Sequence, residues 1–164
     1  AVAHGVQLVL STGGVSVGEE DHLRAAVAAE GRIELWKVAI KPGKPLAFGH
    51  VQGTPYMGLP GNPQSAWVTS QVLALPFIRR LQGDASQPFS IPVRAVFARG
   101  KPQSRREYLR VRVRPGADGQ VQLEAHAQQG SGVLSSAAWA DGLAIVEAGE
   151  TVVPGQLLTF LPLK

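Results

Sequence analysis

Hydrophobic and polar positions follow two different rhythms along this chain, and the change falls near residue 84. Residues 7–10 are a short apolar run closed by Ser11-Thr12-Gly13-Gly14, the pattern of a buried, parallel strand. Over 20–30, Leu23, Ala26 and Val27 recur at helical spacing, with Glu19, Glu20 and Asp21 in or before the first turn and Gly31 placed as a C-terminal cap. Residues 33–40 alternate: Ile33, Leu35, Lys37 and Ala39 share one face of a predicted strand, Trp36, Val38 and Ile40 the other, and Lys41 continues the Lys37 face. Two more strands, 46–51 and 56–59, flank a hairpin turn at Gln52-Gly53-Thr54. From Pro63 the stripe Trp67, Val68, Val72, Leu75, Ile78 and Leu81 predicts a long helix, with Asn62 as its N-cap and Gly83 as its stop. Pro76 lies inside that stripe and predicts a kink or a division there.

A polar linker over 84–90 closes a first domain of residues 1–83. Beyond it the segments are short and alternating. Strands are predicted at 91–98, 108–114, 120–125, 143–147 and 157–161, with a short helix at 133–139 and Gly/Pro turns between. Arg106, Tyr108, Arg110, Arg112 and Arg114 fall on one face of the second of these strands, and Leu109, Val111 and Val113 on the other. Short strands at close intervals predict a small β-barrel or sandwich for 91–164. The whole is an α/β fold class.

Composition narrows the classes. At 164 residues and 45% hydrophobic, the chain is long enough for one ordinary domain or two small ones and is not a disordered sequence. It has no cysteine, which excludes disulfides, thiolate metal sites and a cysteine nucleophile. No apolar run reaches the length of a membrane span, and a cytoplasmic location is expected. The net charge of +4 divides evenly between the two halves. The arginines between Arg99 and Arg114 lack the interleaved aromatic platforms of a nucleic-acid surface, Tyr108 aside, so no nucleic-acid partner is expected and a small anion fits better.

The chemistry concentrates in Gly/Pro-rich turns. Gly13, Gly14, Ser16 and Gly18 make a loop whose backbone N–H groups suit a phosphate or oxyanion. Lys37, Lys41 and Lys44 stand on or beside the stiff turn Lys41-Pro42-Gly43-Lys44-Pro45. The third turn is Leu59-Pro60-Gly61-Asn62-Pro63. Asp21 reads either as a helix cap or as a carboxylate that holds Mg²⁺ or handles a proton on a bound oxygen. Gly14-Val15-Ser16-Val17-Gly18 also fits a nucleophile elbow, but no convincing acid-then-histidine order follows it in so short a chain, which argues against a hydrolase. His4, His22, His50 and His126 show no metal-ligand spacing.

Taken together, the three turns with Asp21, the segment 36–45, and in the second half Arg106-Glu107-Tyr108, Gly130-Ser131-Gly132 and 140–143 resemble the molybdopterin molybdenumtransferase (MoeA) family, which includes the gephyrin E domain. The resemblance implies that residues 1–83 are the later part of an αβα molybdopterin-binding, MogA-like domain and that 91–164 form a C-terminal β-barrel. It implies insertion of molybdate into adenylated molybdopterin, with release of AMP and a need for Mg²⁺. Carried over by motif, Asp21, Lys37 and Lys41 would be catalytic, with Asp21 on the metal. Gly13, Gly14, Ser16, Gly18, Lys44, Pro60, Pro63, Arg106 and Ser131 would bind substrate. The resemblance further implies a homodimer of the complete protein, with part of the site from across the interface. The chain would correspond to the family's C-terminal part and be inactive alone or need a partner copy. A non-catalytic pterin-binding or scaffold module of the same fold is the alternative, and a nucleotide- or pterin-binding domain of adenylyltransferase type is a third reading, against which the appended barrel and the Lys-Pro-Gly-Lys-Pro turn speak.

Overall fold

A computed structural model describes residues 5–15, 22–117 and 119–163. Asp21, Ser16 and Gly18 lie outside them. The first sheet has four strands, β1 (Val9–Thr12), β2 (Gly31–Lys37), β4 (Pro45–Val51) and β5 (Thr54–Leu59), in the order β1-β5-β4-β2. β1 is parallel to β5, as its apolar run predicts, and the other pairs are antiparallel. The β4–β5 turn has Gln52 at φ 49° and Gly53 at φ 80°, the paired positive angles that fit a two-residue hairpin to the twist of its strands.

Helices cover both faces of this sheet. α1 (His22–Glu30) closes one face over Val15, Ala47 and Tyr56 through Val27. The long helical segment closes the other, where Ala74 and Phe77 pack on Leu46, Met57 and Leu59. Neighbouring residues such as Leu46 and Ala47 point to opposite faces, so a sheet buried on both sides reads as a continuous apolar run. The segment divides as Pro76 predicts. α2 (Pro63–Thr69) passes into a π-helical turn (Ser70–Ala74) and then α3 (Leu75–Leu81). Pro76 has no N–H to give the carbonyl of Val72, and the turn before it widens so that Leu75 N–H reaches Ser70 O.

Two expectations from the sequence are corrected here. Gly31 is not a helix cap: it opens β2 opposite Val51, where a Cβ would collide with the backbone of His50. The strand expected over 33–40 is not continuous. β2 is irregular at Ile33–Leu35 and Leu35–Lys37 and ends at Lys37, and Ile40–Lys41 (β3) leaves to join the second sheet. The alternation that put Lys41 on the Lys37 face is therefore broken.

In the second sheet β6 (Ile91–Ala95), β7 (Arg106–Pro115), β8 (Val121–Ala125), β9 (Gly142–Val146) and β10 (Leu157–Pro162) run in the order β7-β8-β6-β10-β9. β9 pairs back onto β7, which closes five strands into a barrel. Val93, Leu109, Leu123, Ala144 and Phe160 fill it. Closure gives each of these strands a neighbour on both sides, and β3 pairs with the part of β7 that β8 does not reach. The mixed α/β architecture with a C-terminal barrel is thus the one expected.

The arginine face of β7 is not uniform in its surroundings. Arg106, Arg112 and Arg114 are exposed, but Tyr108 and Arg110 on the same face are buried. Tyr108 is covered by Ile40, Val68 and Leu143, a cluster shared by both domains. Arg110 is covered by the turn at Gly130 and by α4 (Ser135–Trp139).

Asn62 caps α2 through its side-chain oxygen, which accepts from Gln64 and Ser65 N–H. Asn62→Ala should cost about 1 kcal/mol of stability, read as a shift in the urea midpoint. Gly43 sits at φ 117°, with Thr69 Cγ2 in the space a Cβ would take. Gly43→Ala should cost about 1–3 kcal/mol in the same measurement, more than the cap, because backbone strain and collision add.

Candidate functional site

The parallel register Thr12↔Leu59 brings the C-terminal ends of β1 and β5 side by side. The turns that follow them therefore touch: Gly13 N–H donates to Leu59 O at 3.0 Å. A Cβ on Gly61 would stand 3.2 Å from the Gly13 Cα, so this approach suits glycine. β4 is antiparallel to β5, so its first residue, Pro45, starts at the same edge. Gly13, Gly14, Pro45, Pro60, Asn62 and Ser65 line a cavity of about 330 Å³ there. Gly13 and Gly14 are at φ 83° and 66°, angles glycine adopts without strain. Pro60 is buried in the wall, whereas Pro63 is exposed at the start of α2 and lines none of this cavity.

Beside it, a second cavity of about 380 Å³ is lined by Lys37, Val38, Ala39, Lys44, Ser104 and Arg105. Lys44 and Pro45 are consecutive, so the two cavities meet at the start of β4. Val38 N–H donates to Lys44 O at 3.2 Å and closes the lysine loop, and the Lys41–Pro42 peptide within it is cis. Lys37 and Lys44 are exposed and have no carboxylate partner among the described residues.

Lys41 is placed differently. β3 pairs with β7, Lys41 opposite Glu107, and the ammonium lies 3.2 Å from Glu107 Oε1 and 2.9 Å from Gln103 Oε1. Arg99 Nη2 donates to both oxygens of the same carboxylate at 2.9 and 3.1 Å. Glu107 is 4% exposed, so this carboxylate is buried with a cation on each side. Lys41 thus joins the loop to the barrel.

Arg106 does not reach the turns. It pairs with Glu147 at 2.9 Å and faces a different cleft, with Arg79 and Phe89. Ser131 is exposed in the turn after Gly130 and lines none of the cavities described here. Other arginines of the basic stretch also have internal partners. Arg112 stacks 4.6 Å over Trp139 and donates to its carbonyl, and Arg114 pairs with Glu124.

Sequence reasoning passed over Arg110. It is 1% exposed, yet no carboxylate contacts it among the described residues. Its guanidinium donates to Ser136 Oγ at 3.1 Å and Gly130 O at 3.2 Å. Burial, then the nearby Arg99 charge, pushes its pKa down to about 10. Ser136 Oγ lies 3.5 Å from Gln64 Oε1, and Gln64 is wholly buried next to Ser65 of the first cavity. The Glu107 carboxylate partly offsets that downward shift without touching Arg110, and a buried cation with no directly bound carboxylate is a candidate functional group. Alternation gives only the face on which Arg110 stands, and no local signal in the sequence shows that α4 folds over it.

For Mg²⁺, no three carboxylate or imidazole groups gather among the described residues. The described residues therefore do not supply its ligands, and Asp21 lies outside them. No helix among the described residues is long and apolar enough to cross a membrane.

Comparison with known proteins agrees with this geometry in both halves. Residues 1–80 match the probable molybdopterin binding domain, and residues 92–163 match the MoeA C-terminal region, domain IV. A molybdopterin molybdenumtransferase of Haemophilus influenzae is 37% identical over 154 residues, which span 88% of this chain and 38% of that protein. One from Nostoc is 33% identical over 89% of this chain and 35% of its own length. The chain thus spans little more than a third of the length of these relatives. A crystal structure of a molybdopterin biosynthesis MoeA protein from Pyrococcus horikosii superposes with a TM-score of 0.75 over 99% of this chain and 38% of its own, and at 24% identity it speaks for the fold. Two domains matched in the same order, on a sheet edge and a barrel arranged as the motifs require, place the chain in the molybdopterin molybdenumtransferase (MoeA) family.

Proposed function

We propose that this chain carries part of the site that inserts molybdate into adenylated molybdopterin with release of AMP. The observation that carries the reading is the convergence at one sheet edge of Gly13-Gly14, the Lys41–Pro45 loop and Pro60-Gly61, with the barrel segment 104–105 facing them. The relatives' names supply the transfer of molybdenum to molybdopterin, and the adenylated substrate and the release of AMP come from the resemblance. Both substrates are anions, and the edge offers glycine turns, Lys37 and Lys44. In this reading the turns accommodate the pterin and its phosphate, and the lysines neutralise charge on phosphate and molybdate as AMP departs. Arg110 adds a buried positive charge behind the α2 start, through Ser136 and Gln64. Asp21 would hold Mg²⁺, the role the resemblance gives it. Since the described residues supply no further ligands, no step is derived through the metal. Ser16, Gly18, Pro63, Arg106 and Ser131 remain substrate-binding candidates from the resemblance alone. A cytoplasmic homodimer is the matching cellular form.

The alternative is a non-catalytic pterin-binding or scaffold module of the same fold. One observation favours it: Lys41 has a structural task on Glu107, so its presence does not by itself require catalysis.

The two readings separate on molybdate-dependent release of AMP from adenylated molybdopterin by the protein containing these 164 residues. Release is expected, and Lys37→Gln should lower it about tenfold or more, the loss of one charge-assisted contact. Pterin binding without any molybdate-dependent AMP would leave the scaffold reading standing. Arg110→Met should lower the same rate while thermal stability holds or rises, because it removes a buried charge that has no carboxylate partner. A large fall in Tm would instead make Arg110 a structural residue.

A further inference from the structure

The partners of the buried Glu107 carboxylate come from two segments far apart in the sequence. From the first domain, the Lys41 ammonium stands 3.2 Å from Oε1. From the barrel, Arg99 Nη2 donates to both oxygens at 2.9 and 3.1 Å. Backbone pairing places both cations. Lys41 lies opposite Glu107 in the β3–β7 register, and Arg99 exchanges two hydrogen bonds with Val152, at 2.8 and 3.0 Å. The chain that leads into β7 adds to this. Gln103 Oε1 accepts from Lys41 Nζ at 2.9 Å, and Gln103 O accepts from Gly149 N–H at 2.8 Å. Arg105 Nη1 donates to Ile40 O at 2.8 Å, so both residues of β3 are held from the barrel.

What these contacts fix is the lysine loop. It leaves β2 at Lys37, passes through β3 and returns at Pro45 to begin β4. Val38 N–H donates to Lys44 O at 3.2 Å across its neck, and Arg106 N–H donates to Ala39 O at 3.1 Å. A slip of one residue along β7 would turn Lys41 to the other side of β3 and away from the carboxylate. Without Glu107, Lys41 and Arg99 are left as like charges that had shared one oxygen.

We propose that Glu107 is a positioning residue of the reaction: through Lys41 it fixes the lysine loop, and with it Lys44 and Pro45 on the cavity walls, without touching substrate. The assignment rests on the molybdenum-insertion reading of this edge. Within Arg106-Glu107-Tyr108 the resemblance gave a role to Arg106 alone. Glu107 acts through Lys41 because both of its oxygens are taken, it is 4% exposed, and it lines none of the cavities described here.

Amide hydrogen exchange and steady-state kinetics test this on the protein containing these 164 residues, with Glu107→Gln and Glu107→Asp, at a temperature well below each variant's Tm. Lys41→Met is the third variant, since it leaves Glu107 paired with Arg99 and the barrel intact. Glu107→Gln and Lys41→Met should each cost the Val38 and Arg106 amides about tenfold or more of their protection. The Ala95 amide inside the barrel and the Gly13 amide in the first turn should keep theirs. In Glu107→Gln the KM for adenylated molybdopterin should rise about tenfold with a smaller change in kcat, and Glu107→Asp, which keeps the charge, should recover part of both losses. A loss of protection that extends to Ala95 overturns the assignment, because Glu107 then supports the barrel as a whole. Unchanged protection of Val38 and Arg106 in Lys41→Met overturns the route through Lys41. If the loop loses protection in Glu107→Gln and KM and kcat do not change, the assignment falls while the site reading stands. If the wild-type protein releases no AMP on addition of molybdate, both fall.

Discussion

The position of the lysine loop depends on a pairing only two residues long. Ile40 and Lys41 leave the first sheet and hydrogen-bond along β7 of the barrel. Four side-chain interactions make that short pairing definite. Ile40 is buried among Val68, Tyr108 and Leu143, Lys41 sits on Glu107, Arg99 grips the same carboxylate, and Arg105 holds the Ile40 carbonyl. The apolar contact supplies a non-directional drive, and the buried, doubly paired carboxylate supplies register. Everything the loop presents, Lys44 and Pro45 above all, takes its place from this join.

This join also explains why one chain can have two rhythms and a single functional edge. The αβα part sets its turns together because β1 and β5 are parallel and end at the same level. The barrel closes through β7 and β9, and the first residues of β7, ahead of its pairing with β8 at Val111–Pro115, are free to take one more strand. β3 docks on β7 alongside that closed ring and carries the lysine loop with it. The wall contributed by Ser104 and Arg105 follows directly, because they immediately precede β7.

The electrostatics of the region are those of allocation. Of the basic residues near the join, Lys41, Arg99 and Arg106 are bound to carboxylates, and Arg112 to a carbonyl and an indole ring. Such contacts at exposed positions contribute little to stability, but they remove charges from the pool that meets a ligand. Arg110 is the exception, since it is buried with neutral partners only. Its lowered pKa of about 10 still leaves it charged at neutral pH, so its field persists inside the protein.

The sequence by itself determined the elements whose signals are local. The hairpin at Gln52-Gly53, the cap at Asn62 and the division before Pro76 each rest on a residue type with a fixed backbone consequence, and the parallel strand that ends at Gly13-Gly14 rests on a short apolar run. The meeting of the three turns was legible for the same reason, since each follows or opens a strand of one sheet. Tertiary structure alone decided what alternation cannot see. It broke the strand at Lys37, sent Lys41 to Glu107, covered Arg110 with α4 and paired Arg106 with Glu147. Those outcomes depend on which surface arrives from far along the chain. A period-2 pattern fixes the face on which a side chain stands but carries no information about what packs against that face.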